Sequence, residues 1–115
     1  MTHHIATGKA GGATTQESIN ALCPLLVNQI VPGQEEGNYE LLRRAGSGAL
    51  TRTPHATVDF VHAAFEHDAL LWLKWRANLR RIARPDAARA IAAQVLAHAE
   101  SCRTAPYTAR GLAAV

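Results

Sequence analysis

The chain has 115 residues, of which 48% are hydrophobic and 5% aromatic, and its formal net charge is +3 at pH 7. This length fits one domain with a modest core, and the hydrophobic content excludes a disordered chain. Two cysteines are too few for a disulfide framework, and the N-terminus lacks the apolar segment of a secretory signal. Because the apolar runs are too short to span a bilayer, we expect a cytoplasmic protein with no membrane partner.

The composition predicts an all-α fold, a small helical domain of about four helical segments around one long central helix. Ala, Leu, Ile and Val supply most of the apolar residues, and alanine has the highest helix propensity of all residues. No stretch alternates apolar and polar residues as a half-buried strand does. We expect a flexible N-terminal tail over residues 1–13, a single helical domain over 14–105 and a C-terminal tail over 106–115.

The glycine-rich stretch at residues 7–12, TGKAGG, resembles a phosphate-binding loop only in composition. It lacks the Gly-Lys-Ser/Thr ending of a Walker loop, and no strand is recognisable before it. We therefore assign it to the flexible tail. The next four residues, 14–17, match a capping box, which predicts that a helix begins near Thr15. Apolar residues then follow at helical spacing to residue 31, with a kink or restart at Pro24.

A short helix is predicted over residues 39–45, with Asn38 as its cap and Gly46 just beyond its end. The following Gly-Ser-Gly sequence, residues 46–48, is the best candidate for a hinge.

The long central helix is predicted over residues 54–83, with Thr53 as its cap and Pro54 in its first turn. A second helix over about 86–103 is expected to pack antiparallel against it, because a short turn joins the two. At about 45 Å, the long helix exceeds the diameter of about 35 Å expected for this chain. It must either break or protrude to meet a second chain. We expect the second outcome, a homodimer with an interface formed by Phe60, Phe65, Leu71, Trp72 and Trp75.

Charge is divided unequally along the chain. Residues 1–68 contain four Lys or Arg and seven Asp or Glu, whereas residues 69–115 contain eight and two, so the net charges are −3 and +6. Cations interleaved with tryptophans are found in nucleic-acid-binding surfaces, but cations also favour a helix C-terminus without any ligand. The candidate residues for binding a protein or nucleic-acid partner are Lys74, Arg76, Arg80, Arg81, Arg84 and Arg89.

Two further constellations could carry chemistry. Histidine and carboxylate on one helix face can bind a metal, although acids near a helix N-terminus also stabilise the helix dipole. The candidate metal ligands are His55, Asp59, His62 and Glu66. His98 and Cys102, one turn apart, are the minimum for nucleophilic catalysis. No third orienting group accompanies them, so we expect Cys102 to be a buried apolar residue.

The sequence thus predicts a non-enzymatic helical interaction module that self-associates and binds an acidic protein surface or nucleic acid, as a regulatory or inhibitory accessory protein. No catalytic residue, cofactor or small-molecule substrate is identified. The alternative is a metal-binding helical bundle that uses the Asp/His/Glu stripe across a dimer interface.

Overall fold

The computed structural model describes residues 2–105 and shows that helices alternate with three short parallel strands. Two compact units divide between Arg84 and Pro85, where the sequence predicts one domain over 14–105. The predicted C-terminal tail, 106–115, lies outside the described residues. In chain order the elements are β1 (Ala6–Lys9), α1 (Gly12–Asn20), β2 (Leu25–Gln29), α2 (Glu36–Ala45), β3 (Ala49–Leu50), α3 (Pro54–Ile82) and α4 (Ala87–Thr104).

The all-α prediction is wrong, because the chain contains a three-stranded parallel sheet. Its strand order is β1-β2-β3, with Ala6 opposite Leu25 and Leu26 opposite Ala49. Strand β2 lies inside the segment predicted as a helix over 15–31. A central strand of a parallel sheet is covered on both faces, so it forms a continuous apolar run rather than an alternating one. Such a short run cannot be distinguished from a helix by its spacing.

Helix α1 ends before Pro24 instead of bending there. Leu22 has a φ of 54°, which turns the chain out of the helix. The Pro24 carbonyl then accepts a hydrogen bond from the Ala6 amide at 2.9 Å, at the start of the sheet. The predicted capping box is also wrong, because Gly11 is the N-cap, no side chain caps the helix and Thr14 lies inside it.

Helix α2 is confirmed, although it begins at Glu36 and Asn38 lies inside it rather than capping it. Gly46 ends the helix in the left-handed conformation, as predicted. The predicted hinge is a packed turn, in which Ser47 is buried. Gly48 has a φ of 76°, and a Cβ atom there would lie 2.0 Å from the carbonyl oxygen of Leu25.

We predict that Gly48→Ala lowers the free energy of unfolding by at least about 2 kcal/mol, since it adds a steric overlap to an unfavourable φ. Urea unfolding followed by circular dichroism measures this change. Gly37→Ala is the matched control, because no heavy atom lies within 4 Å of an added Cβ. It should be neutral or stabilising by about 0.5 kcal/mol. Equal unfolding curves for the two variants would contradict the close approach of β2 to this turn.

Helix α3 begins as predicted, with the Thr53 hydroxyl accepting a hydrogen bond from the Ala56 amide at 3.1 Å and Pro54 in the first turn. It is not continuous, however. Glu66 has a ψ of 158°, and residues 67–69 have φ angles between 51° and 60°. The long helix therefore breaks, and the first of the two outcomes weighed from its length is the observed one. The length argument for a homodimer no longer holds, and the dimer stays an untested prediction.

Helix α3 covers two parts of the core. One cluster of buried residues packs against Leu25 and Val27 of β2 and includes Leu79 of α3. The other contains Leu26 together with Trp72 and Trp75. Side chains alternate across a strand, so β2 is buried on both faces. Three consecutive left-handed residues each cost about 1–2 kcal/mol, and burial of the two tryptophans offsets this cost.

We predict that a glycine substitution inside the break and one in the helix before it have opposite effects. His67→Gly should raise the free energy of unfolding by about 0.5 kcal/mol, because glycine adopts a positive φ without steric cost. His62→Gly, in the helical part of α3 and equally exposed, should lower it by about 0.5 kcal/mol. Chemical denaturation of both variants tests the break, since an unbroken helix would be destabilised by both.

Helix α4 is confirmed within one residue of its predicted bounds. None of its residues is buried, and Ile91, Val95 and Leu96 are each more than 60% exposed. These apolar side chains are therefore exposed, and so is Cys102, which the sequence predicts to be buried. Among residues 2–105, no helix is both long enough and apolar enough to cross a membrane.

Candidate functional site

The carboxyl ends of β2 and β3, together with Thr7 of β1, form a polar concave surface of the first unit. In open parallel α/β sheets, ligands bind outside this edge. Here the edge carries a cleft of about 550 Å³. Hydroxyl and amide side chains predominate in its lining, with one cation and no acid. The lining residues are Thr7, Asn28, Gln29, Thr51, Arg52, Thr53, Pro54 and Thr57.

The turn from β1 to α1 lies at the same edge. The amide of the buried Ala10 donates a hydrogen bond to the carbonyl of Gln29 at 3.2 Å, which joins the turn to the end of β2. Gly11 then caps α1 in an extended conformation, and no side chain caps the helix. The first amides of a helix have no partner within the helix, and they carry its partial positive charge. The exposed amides of residues 12–14 are therefore suited to bind an anion.

Two residues at the start of α2 hold this turn in place. Glu35 is almost fully buried, and its Oε2 accepts a hydrogen bond from the Val31 amide at 2.9 Å. Its Oε1 lies 3.5 Å from the ammonium group of Lys9. Asn38 donates from Nδ2 to the carbonyl of Ala10 at 3.0 Å. The turn is thus fixed to both its own strand and the next helix.

The two glycines of the turn are not required by the backbone. Neither has a positive φ. A Cβ on Gly11 would lie 3.8 Å from Glu35 Oε1, and one on Gly12 would lie 4.0 Å from Asn38 Nδ2. Both are ordinary van der Waals distances. Glycine adds no side chain next to these uncapped amides, and glycine is the residue with which a backbone approaches a phosphate most closely.

This turn lies in the glycine-rich stretch at residues 7–12, which the sequence alone assigns to a flexible tail. Two features argued against a phosphate-binding loop, the missing strand and the missing Gly-Lys-Ser/Thr ending. The structure supplies the strand, which is β1, inside the predicted flexible tail of residues 1–13, whereas the Walker ending is absent from the sequence. Four residues, Ala-Thr-Gly-Lys, are too few for an alternating pattern to be recognised. The usable signal was the Gly-Gly pair between a short apolar-polar segment and a helix.

The candidate metal residues are not brought together. His55 Nε2 lies 3.5 Å from Asp59 Oδ2 on an exposed helix turn. His62 is exposed, and Glu66 lies at the break, where the helical spacing that aligned the four residues ends. In the part of the chain that the structure describes, no group of three or more His, Cys, Asp or Glu is arranged to hold a metal ion.

The residues predicted for a dimer interface divide into two groups. Trp72 and Trp75 are 2% and 6% exposed, so they belong to the core of their own chain. Trp72 also donates from Nε1 to the carbonyl of His4 at 2.8 Å. Phe60 and Phe65 lie at the surface, and Leu71 is half-buried. Only the last three could take part in an interface without unfolding the core.

The predicted basic residues lie away from the cleft, since none of them is among its lining residues. Arg76 is half-buried, with its guanidinium 5.4 Å from the centre of the Trp72 ring. The other five are exposed, and Arg89 belongs to α4. No observation tests whether these cations bind a partner.

No family model matches this chain. It is 34% identical over 79 residues to monogalactosyldiacylglycerol synthase 2, chloroplastic, of Arabidopsis thaliana. It is 32% identical over the same length to synthase 3 of that plant and to a probable monogalactosyldiacylglycerol synthase, chloroplastic, of Glycine max. Each match covers 69% of this chain but only 15–17% of the relative, so the chain spans about one sixth of these proteins.

This similarity corrects the function expected from the sequence. The relatives are enzymes that attach a sugar, whereas the sequence predicted a non-enzymatic, regulatory interaction module and no enzyme. The alternative of a metal-binding bundle is wrong as well, because the chain forms a parallel sheet covered by helices. The cause of both errors is the same. Without β1 and β2, the glycine turn at the carboxyl edge of the sheet could not be recognised, and only the helical charges remained as evidence.

We predict that Glu35→Ala lowers the free energy of unfolding by about 1–3 kcal/mol, because it leaves the Val31 amide without its acceptor. Glu35→Gln should cost less, since its side-chain oxygen can still accept that hydrogen bond. Gln34→Ala, at the exposed neighbouring position, is the control and should change stability by less than about 0.5 kcal/mol. Thermal and urea unfolding would contradict the role of Glu35 if all three variants behaved alike.

Proposed function

We propose that this chain forms part of a glycosyltransferase and that its β1–α1 turn binds the phosphate of an activated sugar. One observation carries this proposal: the Gly11-Gly12 turn follows a parallel strand, opens a helix, and lies at the carboxyl edge of the sheet. The similarity to the galactolipid synthases supports the class of reaction.

The chemistry of glycosyl transfer suits such a turn. The bond from the sugar to its leaving group breaks while the acceptor hydroxyl attacks, and negative charge accumulates on the leaving phosphate. Preorganised amides aimed at developing charge stabilise that state without reorganising. The amides of residues 12–14 supply this stabilisation. Lys9, whose side chain is 60% exposed, adds a cation that is also paired with Glu35 Oε1 at 3.5 Å.

The neighbouring cleft offers groups for the sugar itself. Asn28 and Gln29 are exposed at the end of β2 and line the cleft. Amide side chains both donate and accept hydrogen bonds, so they suit a ring of hydroxyl groups. Gln29 also accepts a hydrogen bond from the Ala10 amide through its carbonyl, and this link between the cleft and the turn supports a sugar and its phosphate bound side by side.

The compartment is part of the proposal. The relatives are named as chloroplastic, and for this chain we propose the cytoplasm or another reducing compartment. Cys23 and Cys102 are both free, and burial raises the pKa of the Cys23 thiol. A raised pKa keeps the thiol protonated and less reactive.

The experiment is a titration of the isotope-labelled chain with galactose 1-phosphate, followed by amide NMR. We expect the largest shifts at residues 12–14, because their amides would contact the phosphate. Gly12→Ala should weaken binding at least about tenfold, since the methyl group occupies the approach to these amides. Its stability should be unchanged or slightly higher, as alanine favours a helix.

Gly37→Ala is the control for this titration, because it adds the same methyl group to another helix without a neighbour within 4 Å. It should bind galactose 1-phosphate as the unchanged chain does. The proposal fails if Gly12→Ala binds as tightly as this control, or if the amides that shift lie away from the β1–α1 turn.

A further inference from the structure

We propose that His98 and Cys102 of α4 form half of a zinc site, which a second copy of the chain completes. The two residues lie one helical turn apart, and Cys102 Sγ is 3.5 Å from His98 Nε2. A tetrahedral zinc ion, with bonds of about 2.3 Å to sulfur and about 2.0–2.1 Å to nitrogen, holds two such atoms about 3.5 Å apart. The pair therefore already has the spacing of two ligands on one zinc ion.

The donor atoms favour zinc over other divalent cations. Magnesium and calcium prefer oxygen ligands, whereas thiolate and imidazole suit zinc. Structural zinc sites almost always have four protein ligands. Between residues 2 and 105, no three His, Cys, Asp or Glu side chains are grouped to hold a metal ion. The chain thus supplies two of the four ligands, and the other two must come from another molecule.

The zinc ligands continue a line of exposed residues along α4. This line, the α4 seam, has the alternating spacing of three and four residues that brings two helices together in a coiled coil. Ile91 and Val95 on the seam are 62% and 61% exposed, and no residue of α4 is buried. The seam consists of Ala88, Ile91, Val95, His98 and Cys102.

A parallel copy of α4 suits this seam. In a parallel pair each seam residue lies opposite its own copy, so two histidines and two cysteines meet within one turn and form a Cys2His2 ligand set. The charged residues Arg89, Glu100 and Arg103 lie at least about 100° from the centre of the seam, at 100° per residue. The pairing therefore brings no like charges together. An antiparallel pair aligned along its whole length would place the two half-sites at opposite ends.

The dimer should depend on the metal. Helix α4 has 18 residues, and helices little longer than about 12–15 residues are marginally stable without further packing. The seam offers only Ile91 and Val95 as larger apolar side chains. Zinc that binds only the paired state shifts the equilibrium towards it. We therefore expect a monomer without zinc and a dimer with it.

The experiment is a zinc titration of the complete chain, followed by light scattering and analytical ultracentrifugation. A reducing agent is present, so that a dimer cannot arise from a disulfide. We expect a dimer that contains one zinc ion for two chains and returns to monomer when a chelator is added. Cobalt in place of zinc should give the strong visible absorption of a tetrahedral site and a sulfur-to-metal charge-transfer band.

Substitutions separate the ligands from other histidines and cysteines. Loss of a group that only supports a ligand weakens metal binding about 10–100-fold. His98→Ala or Cys102→Ser removes two direct ligands from the dimer, so each should weaken zinc binding at least about a hundredfold. Cys102→His keeps a ligand and should retain the zinc-dependent dimer, but without the charge-transfer band. The controls His62→Ala and Cys23→Ser remove residues outside α4 and should behave as the unchanged chain does.

Three results would overturn the proposal. The first is a monomer at saturating zinc, whether or not single chains bind the metal. The second is a dimer that the chelator does not dissociate. The third is a zinc-dependent dimer that survives both His98→Ala and Cys102→Ser. Circular dichroism of the α4 variants separates a loss of binding from a loss of fold, since both substituted positions are exposed. The site shares no residue with the cleft or the β1–α1 turn, so this test is independent of the proposed sugar-phosphate binding.

Discussion

The fold of the first unit depends on the burial of β2 between two layers. Leu25, Leu26 and Val27 are each at most 1% exposed, although the sheet has only three strands. Their alternating directions give the chain two apolar clusters, one on each face of the sheet. Every larger element is then placed by the need to cover one of these faces. Helix α3 contributes to both, through Leu79 on one face and through Trp72 and Trp75 on the other.

The break in α3 shows how tertiary packing overrides local preference. A run of Glu-His-Asp-Ala has no helix-breaking residue, and three left-handed residues in succession are unfavourable. After the break, however, the tryptophans reach the core, and Asn78 and Arg84 hydrogen-bond to the Gly46 carbonyl and the Asn20 side chain. The second half of the helix is thus fixed by Trp72 near its start, through a hydrogen bond to the His4 carbonyl, and by Asn78 and Arg84 towards its end. Its remaining face is therefore held outwards as a rigid surface of leucines and cations.

The difference between local preference and tertiary packing explains which features the sequence could predict. The start of α3 at Thr53, the end of α2 at Gly46 and the position of α4 were predicted correctly, because caps and proline act through neighbouring residues. The strands could not be predicted in the same way. Strands β1 and β3 have four and two residues, and β2 is apolar without alternation. The strands form by pairing between distant segments of the chain. The candidate site at their carboxyl ends depends on the same pairing, so it could not be predicted either.

The glycines in this chain carry two different constraints, and separating them locates the site. Gly46 and Gly48 have positive φ angles, and Gly48 also approaches the Leu25 carbonyl, so the fold itself requires them. Gly11 and Gly12 have neither constraint, since a Cβ atom there would meet Glu35 and Asn38 only at 3.8 and 4.0 Å. Gly37 is equally unconstrained, so it is their position beside the uncapped amides of α1 that distinguishes Gly11 and Gly12 and the space around them. At the N-terminus of a helix, beside Lys9 and at the carboxyl edge of a parallel sheet, that space suits a phosphate.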